Sequence, residues 1–207
     1  MPFDDAGDKL NLACFHGDFS TVREVVRSGT SVNYQDYEEF TPAIYCCVRQ
    51  TDEGNSEIMQ FLLDQGANAE LATSGGSTPL IYSAKWLGNY NCAAGLVRHG
   101  VGLDAFDVYG CTALWHASRQ GYLSALQLLV QSGADIDRAS NDGNTPISIA
   151  RQRGHTAVVA YLTIELNWKR RRNYATMLNS LKGAPTNSKI MRVFQCYDLA
   201  RVIGTYL

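Results

Sequence analysis

The sequence predicts an all-α solenoid of paired antiparallel helices, joined by short β-hairpin loops and followed by a helical cap at the C-terminus. Three observations lead to this fold class. A short motif beginning with threonine recurs at Thr41, Thr78, Thr112 and Thr145. These threonines are 37, 34 and 33 residues apart, which indicates a unit of about 33 residues. Glycines and apolar pairs follow the motif at matching distances, as in a stack of similar supersecondary units.

Each threonine predicts the start of a helix. A threonine side chain can cap a helix, and the prolines that follow three of the four threonines are tolerated at the first helical position. Gly88, Gly121 and Gly154 interrupt the apolar pattern about nine residues later. We therefore expect a short first helix in each unit, ending near these glycines.

A second helix and a hairpin complete the unit. The apolar residues after Gly121 follow helical spacing and stop at Gly133, where a positive φ would suit glycine. Residues 135–144 are rich in Asn, Asp and Gly, which favours a turn before the next threonine. The predicted unit is thus helix, turn, helix and extended hairpin.

Counting from these landmarks divides the chain into a repeat domain, residues 1–166, and an extension, residues 167–207. The repeats are predicted at 9–36, 37–73, 74–107, 108–140 and 141–166. The first lacks a leading hairpin and would cap the N-terminus. Four extra residues in the second are expected at 51–54, and one extra residue in the third near 86–89. The fifth keeps both helices through residue 166 but lacks the Gly-Ala-Asp ending.

The unit beginning at Thr112 carries the clearest family pattern. It reads Thr-Ala-Leu-Trp-His-Ala, then Gly121, Leu128-Leu129 and Gly133-Ala-Asp-Ile-Asp. This resembles the ankyrin repeat, whose pattern is T-P-L-H-x-A, a central glycine, a branched apolar pair and a G-A-D ending. The resemblance implies an ankyrin-repeat solenoid that binds proteins and is not an enzyme.

The extension allows two interpretations. Apolar residues from Trp168 to Leu181 predict an amphipathic helix, a break follows at 183–185, and residues 190–207 place apolar side chains on one face of a second helix. These helices could cap the apolar edge of the fifth repeat. Alternatively, they resemble the short helical segments after ankyrin arrays in ubiquitin-ligase adaptors, which would make them a docking box.

Composition narrows the classes of partner. With 207 residues and 45% hydrophobic content, the chain can form one elongated domain with a continuous core. A net charge of −2 argues against general affinity for nucleic acid or an anionic membrane. Neither a membrane span nor a secretion signal is recognisable, so we expect a cytoplasmic monomer. The basic run 169–172 could direct nuclear import or form a solvated helix face.

The cysteines and histidines predict neither a metal site nor catalytic residues. The six cysteines have no framework spacing, and Cys46-Cys47 lacks the two-residue gap of a zinc knuckle. Small core positions explain most of them. Three histidines, His16, His99 and His155, fall at predicted helix ends. Because no nucleophilic constellation or phosphate-binding loop is evident, we expect no enzyme activity and no cofactor.

The resemblance to ankyrin repeats also indicates a binding surface. In that fold, residues just before each threonine and on the following helix face the concave side. This register gives Tyr37, Phe40, Tyr45, Arg49, Tyr82, Lys85, Trp86, Tyr109, His116 and Arg119. Tyr, Trp and Arg dominate binding hot spots, although about half of these rings could instead pack between repeats. The basic members favour an acidic or phosphorylated protein or peptide.

Asn33 lies at a hairpin position of the first repeat. The resemblance makes it a candidate for an oxygen-dependent asparagine hydroxylase. A hydrogen bond from its amide within the turn is the structural alternative.

Overall fold

A computed structural model describes residues 5–48, 55–86 and 90–181 of the chain. Within those residues the chain forms ten α-helices and no extended strand, which confirms the predicted all-α repeat fold. The helices are α1 (Asp5–His16), α2 (Phe19–Arg27), α3 (Pro42–Val48), α4 (Asn55–Asp64), α5 (Pro79–Lys85), α6 (Tyr90–His99), α7 (Ala113–Gln120), α8 (Leu123–Gln131), α9 (Pro146–Gln152) and α10 (Thr156–Leu181).

The four threonines begin helices as predicted. Each side-chain oxygen accepts a hydrogen bond from the backbone N–H three residues later, which satisfies one of the free donors at the helix start. The N···Oγ1 distances are 3.2 Å at Thr41, 3.4 Å at Thr78, 3.2 Å at Thr112 and 3.3 Å at Thr145. The motif therefore sets the first residue of α3, α5, α7 and α9.

Gly121 ends α7 in the left-handed region, with a φ of 80°. Its missing side chain also leaves room for the His155 ring, which a Cβ at this position would meet. The Nε2 atom of His155 lies 2.9 Å from the Arg119 carbonyl oxygen. The predictions of a helix end at Gly121 and of a histidine contacting backbone carbonyls are both confirmed. Gly88 lies outside the described residues.

A short hairpin precedes each of α3, α5, α7 and α9. We number these hairpins one to four, over residues 36–40, 73–77, 107–111 and 140–144. The first residue of each donates its backbone N–H to the carbonyl of the last, over 3.2, 3.2, 3.1 and 3.0 Å respectively. Among the described residues, only Phe106 and Thr112 pair as a β-bridge. The predicted hairpins are therefore present but contain very little β-structure.

Neighbouring hairpins are joined through their main chains. The backbone N–H of Val108, in hairpin three, donates to the Gly75 carbonyl over 3.0 Å. The N–H of Asn141 donates in turn to the Tyr109 carbonyl over 2.9 Å. Hairpins two, three and four are thus held in register by backbone hydrogen bonds.

The helices form two packed rows. The inner helices α1, α3, α5, α7 and α9 each contact the next, and so do the outer helices α2, α4, α6 and α8. The core between them is continuous and includes Leu10, Ile58, Leu62, Ile81, Leu96, Leu114, Leu126, Leu129 and Leu162. Burial of such side chains is the main stabilising term for a repeat stack.

Four cysteines, Cys14, Cys46, Cys47 and Cys92, are fully buried in this core. Their positions agree with the interpretation as small core residues. Burial raises the pKa of the Cys46 and Cys47 thiols well above the ordinary value, because a thiolate is poorly solvated there. Both thiols are therefore protonated and unreactive at neutral pH.

The chain divides into two compact units, Met1–Leu166 and Asn167–Leu207. The sequence predicted that the last repeat helix would end at residue 166 and that a separate helix would begin near Trp168. That prediction is wrong, since α10 continues to Leu181. No glycine or proline occurs between residues 156 and 181 to end the helix. The second predicted helix, residues 190–207, lies outside the described residues. A search of the described helices finds no candidate for a bilayer-spanning segment.

A candidate protein-binding surface

The predicted binding residues lie on the hairpins and inner helices. We call this region the hairpin surface and define it by Tyr37, Phe40, Tyr45, Tyr82, Lys85, Trp86, Tyr109 and Arg119. Three of its aromatic side chains are largely open to solvent, with exposed fractions of 88% for Tyr37, 69% for Tyr109 and 50% for Trp86. Tyr37 and Tyr109 lie in hairpins one and three, and Trp86 follows α5 directly. These three rings are available for contact.

The other three aromatic side chains of the hairpin surface pack against one another. The ring centroids of Phe40 and Tyr45 are 5.5 Å apart, and those of Phe40 and Tyr82 are 5.2 Å apart. All three side chains are half-buried. The alternative that some of the rings pack between repeats is therefore correct for this group.

The aromatic row extends to Phe15 of α1, whose ring stands edge-on to Tyr45 at a centroid distance of 6.3 Å. Phe15 is not among the binding residues predicted from the sequence. Phe15 lies two residues after Ala13, as Arg119 lies two residues after the matching Ala117 of α7, so Phe15 has the same register as Lys85 and Arg119. The register could therefore have predicted Phe15 as a surface residue. It did not, because the first repeat lacks the threonine from which the register is counted.

Tyr45 also ties its helix to hairpin one. Its hydroxyl donates to Asp36 Oδ2 over 2.7 Å, while Asp36 Oδ1 accepts from the backbone N–H groups of Glu38 and Phe40, each over 2.9 Å. Burial and the Asp36 carboxylate raise the pKa of Tyr45, since both disfavour the phenolate. The residue is thus a structural link as well as part of the hairpin surface.

Two cations lie beside aromatic rings on adjacent inner helices. The Lys85 ammonium is 5.8 Å from the Tyr82 ring centroid, and the Arg119 guanidinium is 5.9 Å from that of Trp115. The Gln120 side chain donates to the Lys85 carbonyl over 3.2 Å, which links α5 with α7. This part of the hairpin surface combines positive charge with aromatic area. Arg49, the third predicted cation, lies outside the described residues.

His116 does not belong to the exposed surface. The residue is only 3% exposed, and its Nε2 atom lies 2.9 Å from Asp107 Oδ2. Its position on the inner helix had predicted that it would lie on the concave face. Asp107 at the start of hairpin three instead holds the ring inward, and burial lowers the pKa of His116. A partner therefore cannot reach this ring without a rearrangement.

Hairpin three and the residue before it expose two apolar side chains that were not among the predicted binding residues. Val108 and Phe106 are both exposed beside Tyr109. Val108 stands four residues before its threonine, as Tyr37 does in hairpin one, so the register could have identified it. The Arg138 guanidinium lies 4.4 Å from the Phe106 ring centroid and covers part of that ring.

Asn33 makes two hydrogen bonds to the next repeat. Its amide nitrogen donates to the Gly66 carbonyl over 3.3 Å, and its Oδ1 accepts from the Asn68 backbone N–H over 2.6 Å. These bonds connect two repeats, whereas the prediction was a hydrogen bond within the turn of Asn33 itself. The amide has a structural role whether or not the residue is modified.

Comparisons with known proteins agree with this architecture. A family model described as ankyrin repeats (3 copies) matches residues 10–107, 52–140 and 102–172. The ankyrin repeat and KH domain-containing protein mask-1 of Caenorhabditis elegans is 28% identical over 194 residues, which are 93% of this chain and 7% of that protein. The B-cell lymphoma 3 protein homolog of Mus musculus is 31% identical over 149 residues, 70% of this chain and 32% of that protein.

A third similar protein is the probable E3 ubiquitin-protein ligase XBOS34 of Oryza sativa subsp. japonica. It is 31% identical over 113 residues, 54% of this chain and 22% of that protein. The chain thus spans less than a third of the length of each of these three relatives. Because the family model covers most of its residues, this chain belongs to the ankyrin repeat family.

Proposed function

We propose that the chain is a non-enzymatic module that binds a partner protein or peptide on its hairpin surface. Ankyrin repeats are generally protein–protein interaction modules, and the family is generally non-enzymatic. The observation that carries the proposal is the exposure of three large aromatic side chains, Tyr37, Trp86 and Tyr109, on one set of hairpins and inner helices. Exposed rings of this size commonly mark interaction sites.

Hairpin three is well suited to hold a binding residue. Asp107 Oδ1 accepts hydrogen bonds from the backbone N–H groups of Tyr109 and Cys111, each over 3.0 Å. On the other side, the Asn141 amide donates to the Val108 carbonyl over 3.0 Å. Because the backbone at Tyr109 is already fixed, binding would order little more than the side chain itself. The entropic cost of forming a complex is correspondingly low.

The charges favour an acidic or phosphorylated segment in the partner. Lys85 and Arg119 hold the same position, seven residues after the capping threonine, on the neighbouring inner helices α5 and α7. A carboxylate or phosphate placed there would meet two cations and form charge-assisted hydrogen bonds. The aromatic rings would supply most of the affinity, and the cations would contribute specificity and association rate.

The direct test is a selection of acidic and phosphorylated peptides on the full chain, followed by affinity measurements on variants. Trp86→Ala and Tyr109→Ala should each weaken binding of a selected peptide about 30-fold, the effect of losing a hot-spot residue of about 2 kcal/mol. Tyr90→Ala is the matched control, because Tyr90 is an exposed aromatic residue on the outer helix α6. Equal losses in all three variants would contradict the proposal.

A second candidate function is an adaptor, in which the hairpin surface holds a client while residues 168–207 dock a larger assembly. Trp168 favours this candidate, since its side chain is 59% exposed on α10. The Arg171 guanidinium lies 5.8 Å from its ring centroid. An exposed tryptophan beside arginine is typical of interaction sites. The similarity to a probable E3 ubiquitin-protein ligase is compatible with the same role.

Deletion of residues 168–207 separates the adaptor from a simple cap. An adaptor predicts that the truncated repeats keep their melting temperature and their peptide affinity, and lose only the partner that the extension docks. A cap predicts lower stability or solubility, because the last repeat would lose cover for its apolar edge. Thermal unfolding of the full and truncated chains, with Trp168→Ala as the single-residue comparison, decides between them.

A further inference from the structure

A buried group of metal-ligating side chains lies where hairpin three meets α7. Asp107, Cys111 and His116 are all buried, and one potential donor atom from each lies within 4.8 Å of the other two. The group combines a carboxylate, a thiol and an imidazole. We propose that these three residues form a binding site for a divalent transition-metal ion, with zinc as the best match to the donor types.

The equivalent positions of the other hairpins show that the fold does not require this set. The three positions are the first and last residues of a hairpin and the fourth residue after the capping threonine. They are occupied by Asp36, Phe40 and Tyr45 at hairpin one, Thr73, Ser77 and Tyr82 at hairpin two, and Ser140, Asn144 and Ile149 at hairpin four. Those hairpins close with the same backbone hydrogen bond. The backbone conformation of the hairpin therefore does not explain why three metal-ligating residue types occur together at this place.

Only one of the two His116 ring nitrogens has a hydrogen-bond partner among the described residues. A carboxylate can only accept, so Nε2 carries the hydrogen in its bond to Asp107 Oδ2. Within the described residues, the buried Nδ1 atom has no hydrogen-bond partner. An ion held by both Asp107 and His116 would bind Nε2, because Nε2 is the nitrogen that faces Asp107 Oδ2. The imidazole would then carry its hydrogen on Nδ1, since a neutral imidazole ligates through one nitrogen and keeps its proton on the other.

The charges also fit a divalent ion. Burial raises the pKa of Cys111 to about 11, so the thiol is protonated at neutral pH in the metal-free protein. Binding would release that proton to solvent, one per ion, and leave a thiolate. A doubly charged cation with one thiolate, one carboxylate and a neutral imidazole has no net charge, which limits the cost of burial. The positive charges of Lys85 and Arg119 would repel the ion and weaken its affinity for the site.

A bound ion would join the two ends of hairpin three, Asp107 and Cys111, to His116 on α7. It would thus stabilise the segment that presents Tyr109. Three protein ligands leave the fourth tetrahedral position open to water or another small donor.

Cobalt provides the first test, because a cobalt–thiolate bond absorbs in the near ultraviolet. We expect titration of the full chain with Co²⁺ to produce this absorption at one ion per chain, and Zn²⁺ to abolish it by displacement. Isothermal titration with Zn²⁺ should give the same stoichiometry, with one proton released per ion.

Two variants copy residues from other hairpins and should therefore fold. His116→Tyr recreates the aspartate–tyrosine pair of hairpin one, and Cys111→Ser recreates the serine of hairpin two. Each should lower zinc affinity by at least about 100-fold, since losing a ligand costs no less than losing one of its supporting residues. His99→Gln, at an exposed histidine in the last turn of α6, should bind zinc like the unmodified chain.

Circular dichroism establishes which variants are folded, and either folded variant is sufficient for the test. The proposal is overturned if the unmodified chain gives no cobalt–thiolate absorption. It is also overturned if a folded His116→Tyr or Cys111→Ser variant binds zinc as tightly as the unmodified chain, because the ion would then occupy another group of residues.

Discussion

Hairpins one and three have the same backbone frame but different surroundings. Each begins with an aspartate whose Oδ1 accepts two backbone N–H groups of its own hairpin, and whose Oδ2 pairs with a ring on the following helix. The ring is Tyr45 for Asp36, at 2.7 Å, and His116 for Asp107, at 2.9 Å. The Asp107–His116 pair is buried, whereas the Asp36–Tyr45 pair is half-exposed.

The turn residue differs as well. Gly110 occupies the left-handed position of hairpin three with a φ of 73°, and Glu39 occupies the matching position of hairpin one with a φ of 64°. Glycine adopts this conformation without strain, but a residue with a Cβ does not. The comparison shows that the repeat determines the backbone conformation of a hairpin. The individual residues determine how far its aspartate–ring pair is buried, how strained its turn is and which chemical groups it carries.

The largest expected effect on stability comes from removing the hydrogen bond between each aspartate and its ring, Asp107–His116 or Asp36–Tyr45. His116→Phe should lower the free energy of unfolding by about 3 kcal/mol, because a buried carboxylate loses a partner that water cannot replace. Tyr45→Phe should cost about 1 kcal/mol, because water can reach Asp36. Urea unfolding at neutral pH, with a chelator present to exclude metal ions, measures both. If both variants lose a similar free energy of unfolding, burial does not determine how much each pair contributes to stability.

Changes at the shared turn position should have smaller effects of opposite sign. Gly110→Ala should lower the free energy of unfolding by about 2–3 kcal/mol. It combines an unfavourable φ with a Cβ placed 2.9 Å from the Asn141 backbone nitrogen. Glu39→Gly should raise stability by about 0.5–1 kcal/mol, because relief of strain exceeds the entropy that glycine gains on unfolding. Urea unfolding midpoints give both values.

Gly143→Ala separates strain from crowding. Gly143 holds the same turn position of hairpin four with a φ of 77°, but a Cβ there has no heavy atom within 4 Å. Its substitution should cost only the strain of about 1–2 kcal/mol. A loss as large as that of Gly110→Ala would rule out the contact with Asn141 as a cause.

Local hydrogen bonding explains why much of the fold could be predicted from the sequence. A threonine cap joins residues only three positions apart, so Thr78 or Thr145 needs no distant partner to begin its helix. The left-handed glycine after α7 is similarly local. Repetition of these signals at a nearly constant spacing then indicated the repeat architecture.

The candidate binding surface was less predictable because its details depend on packing between repeats. The register correctly placed Tyr37 and Tyr109 in exposed positions, but it could not show that Asp107 draws His116 into the interior. The contact between Phe15 and Tyr45 likewise depends on how two inner helices meet. The continuous α10 was not predicted for another reason, because the repeat pattern ends near residue 166 while the helix continues to Leu181.

The backbone links between hairpins have a consequence for altering what the domain recognises. The bonds from Val108 to Gly75 and from Asn141 to Tyr109 involve only main-chain atoms. Side chains at positions 108 and 109 point to solvent and take no part in those links. New side chains could therefore be introduced at positions 108 and 109 without breaking the hydrogen bonds between the hairpins. The ligand preference of hairpin three can thus be changed without affecting the ability of the repeats to fold.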